Sequence, residues 1–208
     1  FLKKIKSEIL CWDDNFLVRK SIKKNYLLNF KKKIANNFFD FIVISPGINV
    51  RKCYLKRFLV KNKTKIITDL DIFYNFNKNN QIISVTGTNG KSTTCKLLEA
   101  VFKKAGYSTH LVGNIGEPIL SLKKFNKKTI IIIEVSSYQL AYTQHFKSNH
   151  AAILNISPDH MERHGTMENY INAKIKILKF QSFKDHSYLN VNNQFTKKII
   201  DNFKKKQF

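Results

Sequence analysis

The sequence predicts an α/β protein built on parallel β-sheets, and three observations support that prediction. Short apolar, β-branched runs recur along the chain and alternate with helical or mixed segments, as in parallel-sheet proteins. The run Ile130-Ile131-Ile132-Ile133 is uninterrupted, which is typical of a strand buried on both faces. The third observation is that the apolar run at 82–85 leads directly into a glycine turn, which is followed by a segment whose apolar residues have helical spacing. Ligands bind such sheets at the carboxyl ends of the strands, so candidate site residues are sought there.

One glycine-rich stretch has the form of a phosphate-binding loop. The apolar run ends at Gly87, and both Gly87 and Gly90 allow the backbone to turn tightly and lie against a ligand. Helical spacing follows, so free N–H groups and the positive end of a helix dipole would face an anion. In such loops the lysine, here Lys91, reaches the outer phosphates, and the Ser92 or Thr93 hydroxyl binds Mg²⁺. A plain glycine turn is the alternative, but the Gly-Lys-Ser-Thr run favours a nucleotide phosphate site.

Length, composition and charge limit the possibilities. A chain of 208 residues corresponds to one large domain or two small ones, and a hydrophobic fraction of 43% is enough for a packed core. The 37 Lys and Arg against 14 Asp and Glu give a net charge of +23, which alone would favour a polyanionic partner. The lysines are scattered and no nucleic-acid recognition motif accompanies them, so specific nucleic-acid binding is not predicted.

Cysteine usage and hydropathy add further limits. Cys11, Cys53 and Cys95 are far apart and form no Cys-x-x-Cys pair, so they indicate neither a disulfide framework nor a zinc site. They fit a reducing cytoplasm. No apolar run reaches membrane-spanning length and no signal peptide is visible, so we expect a cytoplasmic protein without a membrane partner. The chain starts at Phe1, in what reads as the middle of a domain, and we expect it to be a fragment.

The first domain is predicted to span 1–79. Strands are expected at 8–12, 41–44 and 66–67, each followed by a polar turn. Residues 75–81 are polar and lack apolar periodicity, so they are interpreted as the linker into a second domain. Polar residues at these strand ends are candidate ligand contacts, although an ordinary turn or helix cap is the simpler explanation for each. They are Asp13, Asp14, Ser45, Gly47, Thr68 and Asp69.

The second domain, predicted at 80–208, places more polar residues after its strands. One strand runs into Gly113-Asn114-Ile115-Gly116, and the isoleucine run ends at Glu134, where a carboxylate could bind a metal directly or through water. The strand at 151–156 precedes His160, which lies on a loop rather than on an apolar face. A surface carboxylate and a structural histidine are the alternatives for these two residues.

An amphipathic helix is predicted at about 167–180. Tyr170, Lys174, Ile177 and Leu178 share one face by helical spacing, so a lysine interrupts the apolar stripe. Lys174 either extends its ammonium to solvent or turns toward the ligand site, and the composition does not decide between these alternatives.

Taken in order, these motifs resemble the Mur ligases, in particular the MurD-type members. The short loop, with only Thr88 and Asn89 between its glycines, resembles the P-loop that Mur ligases share with folylpolyglutamate synthases. The Gly-Asn-Ile-Gly turn and the Ser-Ser-Tyr-Gln segment at 136–139 point to the MurD type, whereas MurE-type enzymes typically continue with His after Glu-Val-Ser-Ser. The other matching stretches are Ser45-Pro46-Gly47-Ile48, Asn155-Ile156-Ser157-Pro158-Asp159-His160-Met161 and Tyr170-Ile171-Asn172-Ala173-Lys174.

The resemblance implies both a fold and an activity. The fold would be a partial Rossmann-like N-terminal domain that binds the UDP-substrate, followed by an incomplete P-loop ATPase-type domain with a parallel sheet. A C-terminal domain for D-glutamate would follow residue 208. The activity would be ATP-dependent amide-bond formation between UDP-N-acetylmuramoyl-L-alanine and D-glutamate, through an acyl phosphate, in peptidoglycan precursor synthesis. There are two alternatives. One is another ligase of the same superfamily, of the MurE type or a folylpolyglutamate synthase, and the other is a non-catalytic basic protein that binds nucleotides or nucleic acid.

The resemblance also implies catalytic and cofactor roles. Lys91, Glu134, His160 and Lys174 would be the catalytic residues. Ser92 and Glu134 would hold one Mg²⁺, and His160 with a carbamylated Lys174 would hold a second, because a carbamate converts a buried cation into an oxygen ligand suited to Mg²⁺. ATP would be held by Gly87, Thr88, Asn89, Gly90, Lys91, Ser92 and Thr93.

The implied substrate contacts come from both domains. Asn114 and Ser136 would contact muramoyl-alanine, and the protein would act as a monomer. The uridine end would lie near Asp13, Asp14, Ser45 and Gly47. One departure is that the family often has an acidic pair where this chain has Asn192 and Asn193.

Overall fold

The structure, a computed structural model, describes residues 7–28, 38–121 and 125–205. The chain divides into two compact units, the first made of residues 1–43 and 47–66 and the second of residues 44–46 and 67–208. None of the helices within the described ranges is long and apolar enough to cross a membrane.

The first unit consists of short elements joined by turns. Its helices are α1 (Phe16–Ser21) and α2 (Lys56–Lys61). Strands β1 (Ile42–Val43) and β2 (Ile66–Ile67) form a two-stranded sheet. Short 3-10 helices cover Lys24–Tyr26 and Lys63–Lys65.

The strand predicted at 8–12 is reduced to one parallel bridge between Cys11 and Leu27. Cys11 N donates to Tyr26 O, and Leu28 N donates to Cys11 O. The pairing stops there because the chain turns at once into α1, whose first residues are capped by the side chain of Asn15.

The second unit contains a five-stranded sheet in the order β4-β5-β3-β6-β7, and every neighbouring pair is parallel. This confirms the predicted parallel α/β fold, with the loop-bearing strand β3 at its centre. The strands are β3 (Gln81–Thr86), β4 (Thr109–Gly113), β5 (Ile130–Glu134), β6 (His150–Ile153) and β7 (His186–Leu189).

Six helices complete the second unit. The helix predicted at about 167–180 is observed as α7, continued by a 3-10 turn at Lys176–Leu178. The helices are α3 (Asp69–Asn77), α4 (Lys91–Lys104), α5 (Ser137–Tyr142), α6 (Met161–His164), α7 (Met167–Ile175) and α8 (Gln194–Lys205).

The isoleucine run of β5 supplies both faces of the sheet because side chains alternate along a strand. Ile131 and Ile133 pack with Leu140 of α5 and Tyr170 of α7 in the larger core cluster. Ile132, on the opposite face, belongs with Ile130 to a second cluster that includes Cys95 and Leu98 of α4. Helices therefore cover both faces and leave the carboxyl edge of the strands for the loops.

Helix α3 packs with the second unit, although the predicted boundary lies after residue 79. Thr68 and Asp71 form a capping box that starts the helix, and Leu70 and Phe73 enter the core beneath the sheet. The interpretation of 75–81 as a linker is wrong in extent, since α3 continues to Asn77 and β3 begins at Gln81. The functional boundary between 79 and 80 stays a prediction.

Candidate functional site

The loop between β3 and α4 lies at the carboxyl end of the central strand. Gly90 has a φ of 79°, in the left-handed region that glycine tolerates, and it is the N-cap of α4. No side chain caps the helix at this position, and the first turn contains no acidic residue. The first N–H groups of α4 and the positive end of its dipole therefore suit an anion.

Gly87 packs closely against the end of β6. A Cβ added at Gly87 would lie 3.2 Å from Leu154 Cβ and 3.4 Å from Asn155 O, which is tight for any side chain. Lys91 then extends back over the loop, because its Nζ donates to Thr88 O at 2.8 Å. Glycine at 87 thus keeps the backbone close to β6 while the lysine ammonium stays above the loop.

Ser92, Glu134 and Asn114 form a hydrogen-bonded chain beside the loop. Ser92 Oγ donates to Glu134 Oε2 at 2.7 Å, and Asn114 Nδ2 donates to Glu134 Oε1 at 3.0 Å. Glu134 is only 1% exposed, so these bonds satisfy a buried carboxylate. The register places Glu134 opposite Val85, which brings it to the same edge as the loop.

Gly113 allows the neighbouring turn to approach Glu134. Its φ is 107°, and a Cβ there would collide with the carbonyl oxygen of Glu134. The next residue, Asn114, donates its backbone N–H to that same carbonyl at 3.0 Å. The glycine is therefore required for the close contact that brings the Asn114 amide to the carboxylate.

Lys174 points inward to the loop rather than to solvent. Lys174 is 2% exposed, and its Nζ donates a hydrogen bond to Gly87 O at 2.8 Å. The ammonium lies 4.6 Å from the ring centroid of Tyr170, whose hydroxyl is 3.1 Å from Thr88 Oγ1. Burial, with the charge of Lys91, lowers the pKa of Lys174 to about 7.

His160 lies at the same edge, at the start of α6. It has a φ of 56°, a left-handed conformation that is uncommon for a residue with a Cβ. Its ring centroid is 4.9 Å from that of Tyr138 and 6.3 Å from that of Tyr170, and its Nε2 is 3.4 Å from Asp159 Oδ2. His160 is thus placed against aromatic rings, and Tyr170 connects it to the loop.

Ser136 is the N-cap of α5. Its hydroxyl accepts from Gln139 N, and Gln139 Oε1 accepts in return from Ser136 N at 3.1 Å. Gln139 Nε2 donates to Asp69 Oδ2 at 3.1 Å, and burial raises the pKa of this aspartate. The serine predicted to contact substrate is therefore held by the capping box at the carboxyl end of β5.

The next serine is bonded to a buried histidine. His164 Nε2 lies 3.0 Å from Ser137 Oγ, and Tyr138 packs against the imidazole. Burial, followed by the charges of His160 and Arg163, lowers the pKa of His164 to about 4. A neutral imidazole therefore links α6 to the start of α5.

Three of the residues predicted to lie near the uridine end of the substrate belong to the first unit. Asp13 Oδ1 accepts from Asn15 N at 2.7 Å, and Asp14 accepts from Trp12 Nε1 and Tyr54 N, both at 2.9 Å. Gly47 is exposed. Asp13 therefore stabilises a local turn, whereas Asp14 also joins its turn to the distant residue Tyr54. The contact of these residues with the uridine end of the substrate stays a prediction.

Ser45 belongs to the second unit and is exposed. The following residue, Pro46, accepts a 2.9 Å hydrogen bond from Arg163 Nη2 through its carbonyl. Arg163 also lies over the ring of Tyr138, with 5.0 Å between its Cζ and the ring centroid. The turn after β1 is thereby fixed to α6 through Arg163.

Within the described ranges, no group of three or more His, Cys, Asp and Glu side chains is arranged to hold a metal ion. The chemistry of the available donors nevertheless fits Mg²⁺ at one position. The Ser92 hydroxyl and the Glu134 carboxylate are 2.7 Å apart beside the loop, and both are hard oxygen ligands. The two-ion arrangement with His160 and Lys174 stays a prediction.

Asn193, where the resemblance led us to expect an acidic residue, has a structural role. Asn193 Oδ1 accepts from Phe195 N and Thr196 N, both at 3.2 Å, at the start of α8. Its Nδ2 donates to Ile156 O at 3.0 Å. Because an aspartate could not make this last bond, the amide suits this position better than a carboxylate would.

Two residues that the sequence analysis did not assign to the site contact the loop directly. Asn155 makes hydrogen bonds to Thr88 and Asn89, and Tyr170 contacts Thr88. Tyr170 stands four residues before Lys174 on one helix face, and that spacing was the available signal. Asn155 could have been assigned to the site only if the strand order had been known, because the pairing of β3 with β6 brings it to the loop.

Comparison with known proteins supports this geometry. Residues 85–208 match the Mur ligase middle domain. The chain is 38% identical over 162 residues to the UDP-N-acetylmuramoylalanine–D-glutamate ligase of Caldicellulosiruptor saccharolyticus, covering 77% of this chain and 36% of the relative. It is 35% identical over 206 residues to the ligase of the same name from Rickettsia bellii, covering 97% of this chain and 45% of that protein.

A solved structure gives the same fold at low identity. The MurF ligase of Thermotoga maritima in complex with ADP superimposes with a TM-score of 0.51 and 18% identity, covering 71% of this chain and 42% of that one. The chain spans less than half the length of the relatives named above. The matched region includes the loop, Glu134, His160 and Lys174, and it covers more than half of the chain. The chain therefore belongs to the Mur ligase family, whose middle domain it contains.

Proposed function

We propose that the complete protein is an ATP-dependent ligase that joins D-glutamate to UDP-N-acetylmuramoyl-L-alanine in peptidoglycan precursor synthesis. The relatives that support the substrate choice carry the name UDP-N-acetylmuramoylalanine–D-glutamate ligase. The ADP in the Thermotoga maritima structure supports the choice of nucleotide. In this proposal 1–79 is part of a UDP-substrate domain and 80–208 is part of the ATP-binding domain, in a monomeric cytoplasmic enzyme.

The observation that carries the proposal is the hydrogen-bonded chain of Ser92, Glu134 and Asn114 beside the glycine loop. It places a hydroxyl, a buried carboxylate and an amide at the edge where an anion-binding helix begins. A ligase that activates a carboxylate with ATP must bring two anions together, so it needs a cation and fixed donors between them. Ser92 and Glu134 offer oxygen ligands for a cation, and Asn114 offers an amide on the other side of the carboxylate.

Each residue has a defined task in this reaction. Lys91 would exchange its bond to Thr88 O for the phosphate oxygens of ATP. Ser92 and Glu134 would hold Mg²⁺, which when bound supplies positive charge between the phosphate and the substrate carboxylate. Asn114 would keep Glu134 oriented and would contact muramoyl-alanine together with Ser136.

The chemistry has two steps. The alanyl carboxylate oxygen attacks the γ-phosphorus, the bond to ADP breaks, and an acyl phosphate forms. The neutral amine of D-glutamate then attacks the acyl carbon, a proton leaves the nitrogen, and inorganic phosphate departs as the amide forms. Repulsion between the two anions is stronger in a water-poor site than in bulk water, so Mg²⁺, Lys91 and the fixed donors would have to offset it.

Lys174 is proposed to be a carbamate that, with His160, holds a second Mg²⁺. Its burial supports this, because a carbamate would replace a poorly solvated ammonium with an oxygen ligand. The neutral amine attacks CO₂, a C–N bond forms and one proton is released. The 2.8 Å bond to Gly87 O would then be broken or made through the remaining N–H.

The test is phosphate release by the full-length protein with ATP, Mg²⁺ and one amino acid at a time. UDP-N-acetylmuramoyl-L-alanine with D-glutamate should release phosphate, whereas meso-diaminopimelate, L-lysine and a folate substrate should not. Equal turnover with diaminopimelate would instead support a MurE-type ligase. Absence of nucleotide binding under all conditions would refute the ligase proposal altogether.

A further inference from the structure

Asn155 makes several hydrogen bonds to the two middle residues of the glycine loop. Asn155 lies two residues after Ile153, the last residue of β6, and Thr88 and Asn89 lie between the two loop glycines. Asn155 Oδ1 accepts from Thr88 N at 3.1 Å and from Asn89 N at 2.9 Å. Its Nδ2 donates to Asn89 O at 3.0 Å, and its backbone oxygen also accepts from Thr88 N at 3.0 Å.

This arrangement uses both halves of the amide at once. The oxygen binds two successive loop N–H groups, and the nitrogen binds the carbonyl of the second. Only a primary amide offers an acceptor and a donor on one short planar group. Both flanking glycines are conformationally permissive, so the two middle residues must be fixed by other groups. Thr88 is also bonded through its hydroxyl to Ser157 and Tyr170, whereas both backbone groups of Asn89 are bonded to the Asn155 amide.

Thr88 and Asn89, which Asn155 holds, contact or precede the groups that would bind phosphate. Thr88 O is the acceptor for Lys91 Nζ, and Thr88 Oγ1 contacts Tyr170. Asn89 precedes Gly90, the N-cap whose φ of 79° sets the direction of the first α4 N–H groups. We propose that Asn155 is a positioning residue for nucleotide binding, because its amide holds Thr88 and Asn89 where Lys91 and the start of α4 can receive the phosphates.

The chain contains a matched control at the other end of the same strand. Asn149 immediately precedes β6, and its Oδ1 accepts from Ile82 N of β3 at 2.9 Å. It therefore also joins β6 to β3 with a side-chain amide, but at the edge of the sheet opposite to the loop. A general loss of stability should follow substitution of either asparagine, whereas a loss of nucleotide affinity should follow only substitution of Asn155.

The experiment measures ADP affinity calorimetrically and amide hydrogen exchange in the full-length protein, with variants Asn155→Ala, Asn155→Asp and Asn149→Ala. Asn155→Ala should weaken ADP binding about tenfold or more, since the side-chain bonds are lost. It should also speed exchange at Asn89, whose N–H donates to the lost Oδ1, and less at Thr88, whose N–H keeps its bond to the backbone oxygen of residue 155. Asn155→Asp keeps the shape and an acceptor but loses the donor and adds negative charge, so it should weaken ADP binding at least as much. Asn149→Ala should bind ADP within about twofold of the unmodified protein.

This inference rests on the proposed nucleotide site, and the two can fail separately. If the unmodified protein binds no ADP, the proposed function fails, while amide exchange at Asn89 still reports whether the Asn155 side chain holds the loop. If ADP binds and both Asn155 variants retain affinity within about twofold, the positioning role is refuted. An equal loss of affinity in Asn149→Ala would also refute it, because the effect would then be a general one. If Asn155→Ala does not fold, Asn155→Asp decides the outcome.

Discussion

Replacing Lys174 with methionine should make the protein more stable and less active at the same time. The lysine is 2% exposed and burial lowers its pKa from 10.5 to about 7. Folding therefore disfavours its ammonium form, since the unfolded chain holds that proton up to a much higher pH. Methionine fills a similar volume and carries no charge, so it removes this cost.

The magnitude follows from the two pKa values. A difference of about 3.5 units corresponds, at neutral pH, to at most about 4 kcal/mol of lost stability, from which the broken bond to Gly87 O subtracts about 1 kcal/mol. The sign is fixed because the folded-state pKa lies below the unfolded one. The cost is fully present below about pH 7, decreases as the pH rises, and disappears above the unfolded value of 10.5.

The assay combines chemical denaturation with turnover. In buffer free of bicarbonate, Lys174→Met should raise the free energy of unfolding by about 1–3 kcal/mol at pH 7 and by much less near pH 10. Lys103→Met is the control, because that ammonium is exposed and paired only with Glu99 on the surface of α4. Its effect should stay within about 0.5 kcal/mol at either pH.

Turnover tests the functional part of the reasoning. Lys174→Met should reduce turnover by about 100-fold or more, because a proposed oxygen ligand is lost. Short carboxylic acids should restore part of the activity of Lys174→Ala by supplying that oxygen. A methionine variant that is no more stable at pH 7 than the unmodified protein would refute the buried-cation argument, and full turnover would refute the catalytic role.

Three further predictions follow from buried or paired carboxylates. Glu134→Gln should lower turnover about 100-fold, measured as phosphate release, whereas Glu99→Gln on the surface of α4 should leave turnover unchanged; equal rates in both would remove Glu134 from the mechanism. Asp71 is fully buried and accepts six hydrogen bonds, from Thr68 N and Oγ1, Thr143 Oγ1 and the N–H groups of residues 144–146. Asp71→Asn should therefore cost about 2–4 kcal/mol in denaturant unfolding, and a cost no greater than that of exposed Asp201→Asn would contradict this. The pKa of Asp185 is lowered to about 2, despite partial burial, by the hydrogen bond and charge of Lys147 and by bonds from Ser182. Its stabilising effect should be present above pH 3.8 and lost as the pH falls toward 2, so acid unfolding of Asp185→Asn should show a smaller pH dependence in that interval; an unchanged acid profile would contradict the assignment.

Local patterns were sufficient to predict several elements of the second unit. The isoleucine run of β5 is buried on both faces, as an uninterrupted β-branched sequence predicts. The strand, glycine turn and helix around Lys91 were also predicted, because each of the three has a local signature in the sequence. These features depend on neighbours along the chain and not on the order of the strands.

The features that sequence did not predict depend on contacts between distant segments. The strand expected at 8–12 had a suitable apolar pattern, but only Cys11 found a pairing partner. The helix α3 was not predicted, and its residues were assigned to the first domain because the polar stretch 75–81 resembled a linker. Its buried face, with Leu70 and Phe73, shows that tertiary packing outweighed local polarity.

Helical spacing predicted the helix face of Lys174 but not the direction of its side chain. Helical spacing placed it on the apolar face with Tyr170, but the same spacing is compatible with a lysine that bends out to solvent. The direction is decided by Gly87, which offers a carbonyl to Nζ only because β3 ends in a glycine turn beside α7. The loop that predicts the phosphate site therefore also provides the acceptor that keeps the lysine inside. Neither stretch contains that information alone, and it arises only when the parallel sheet brings the end of β3 against the helix.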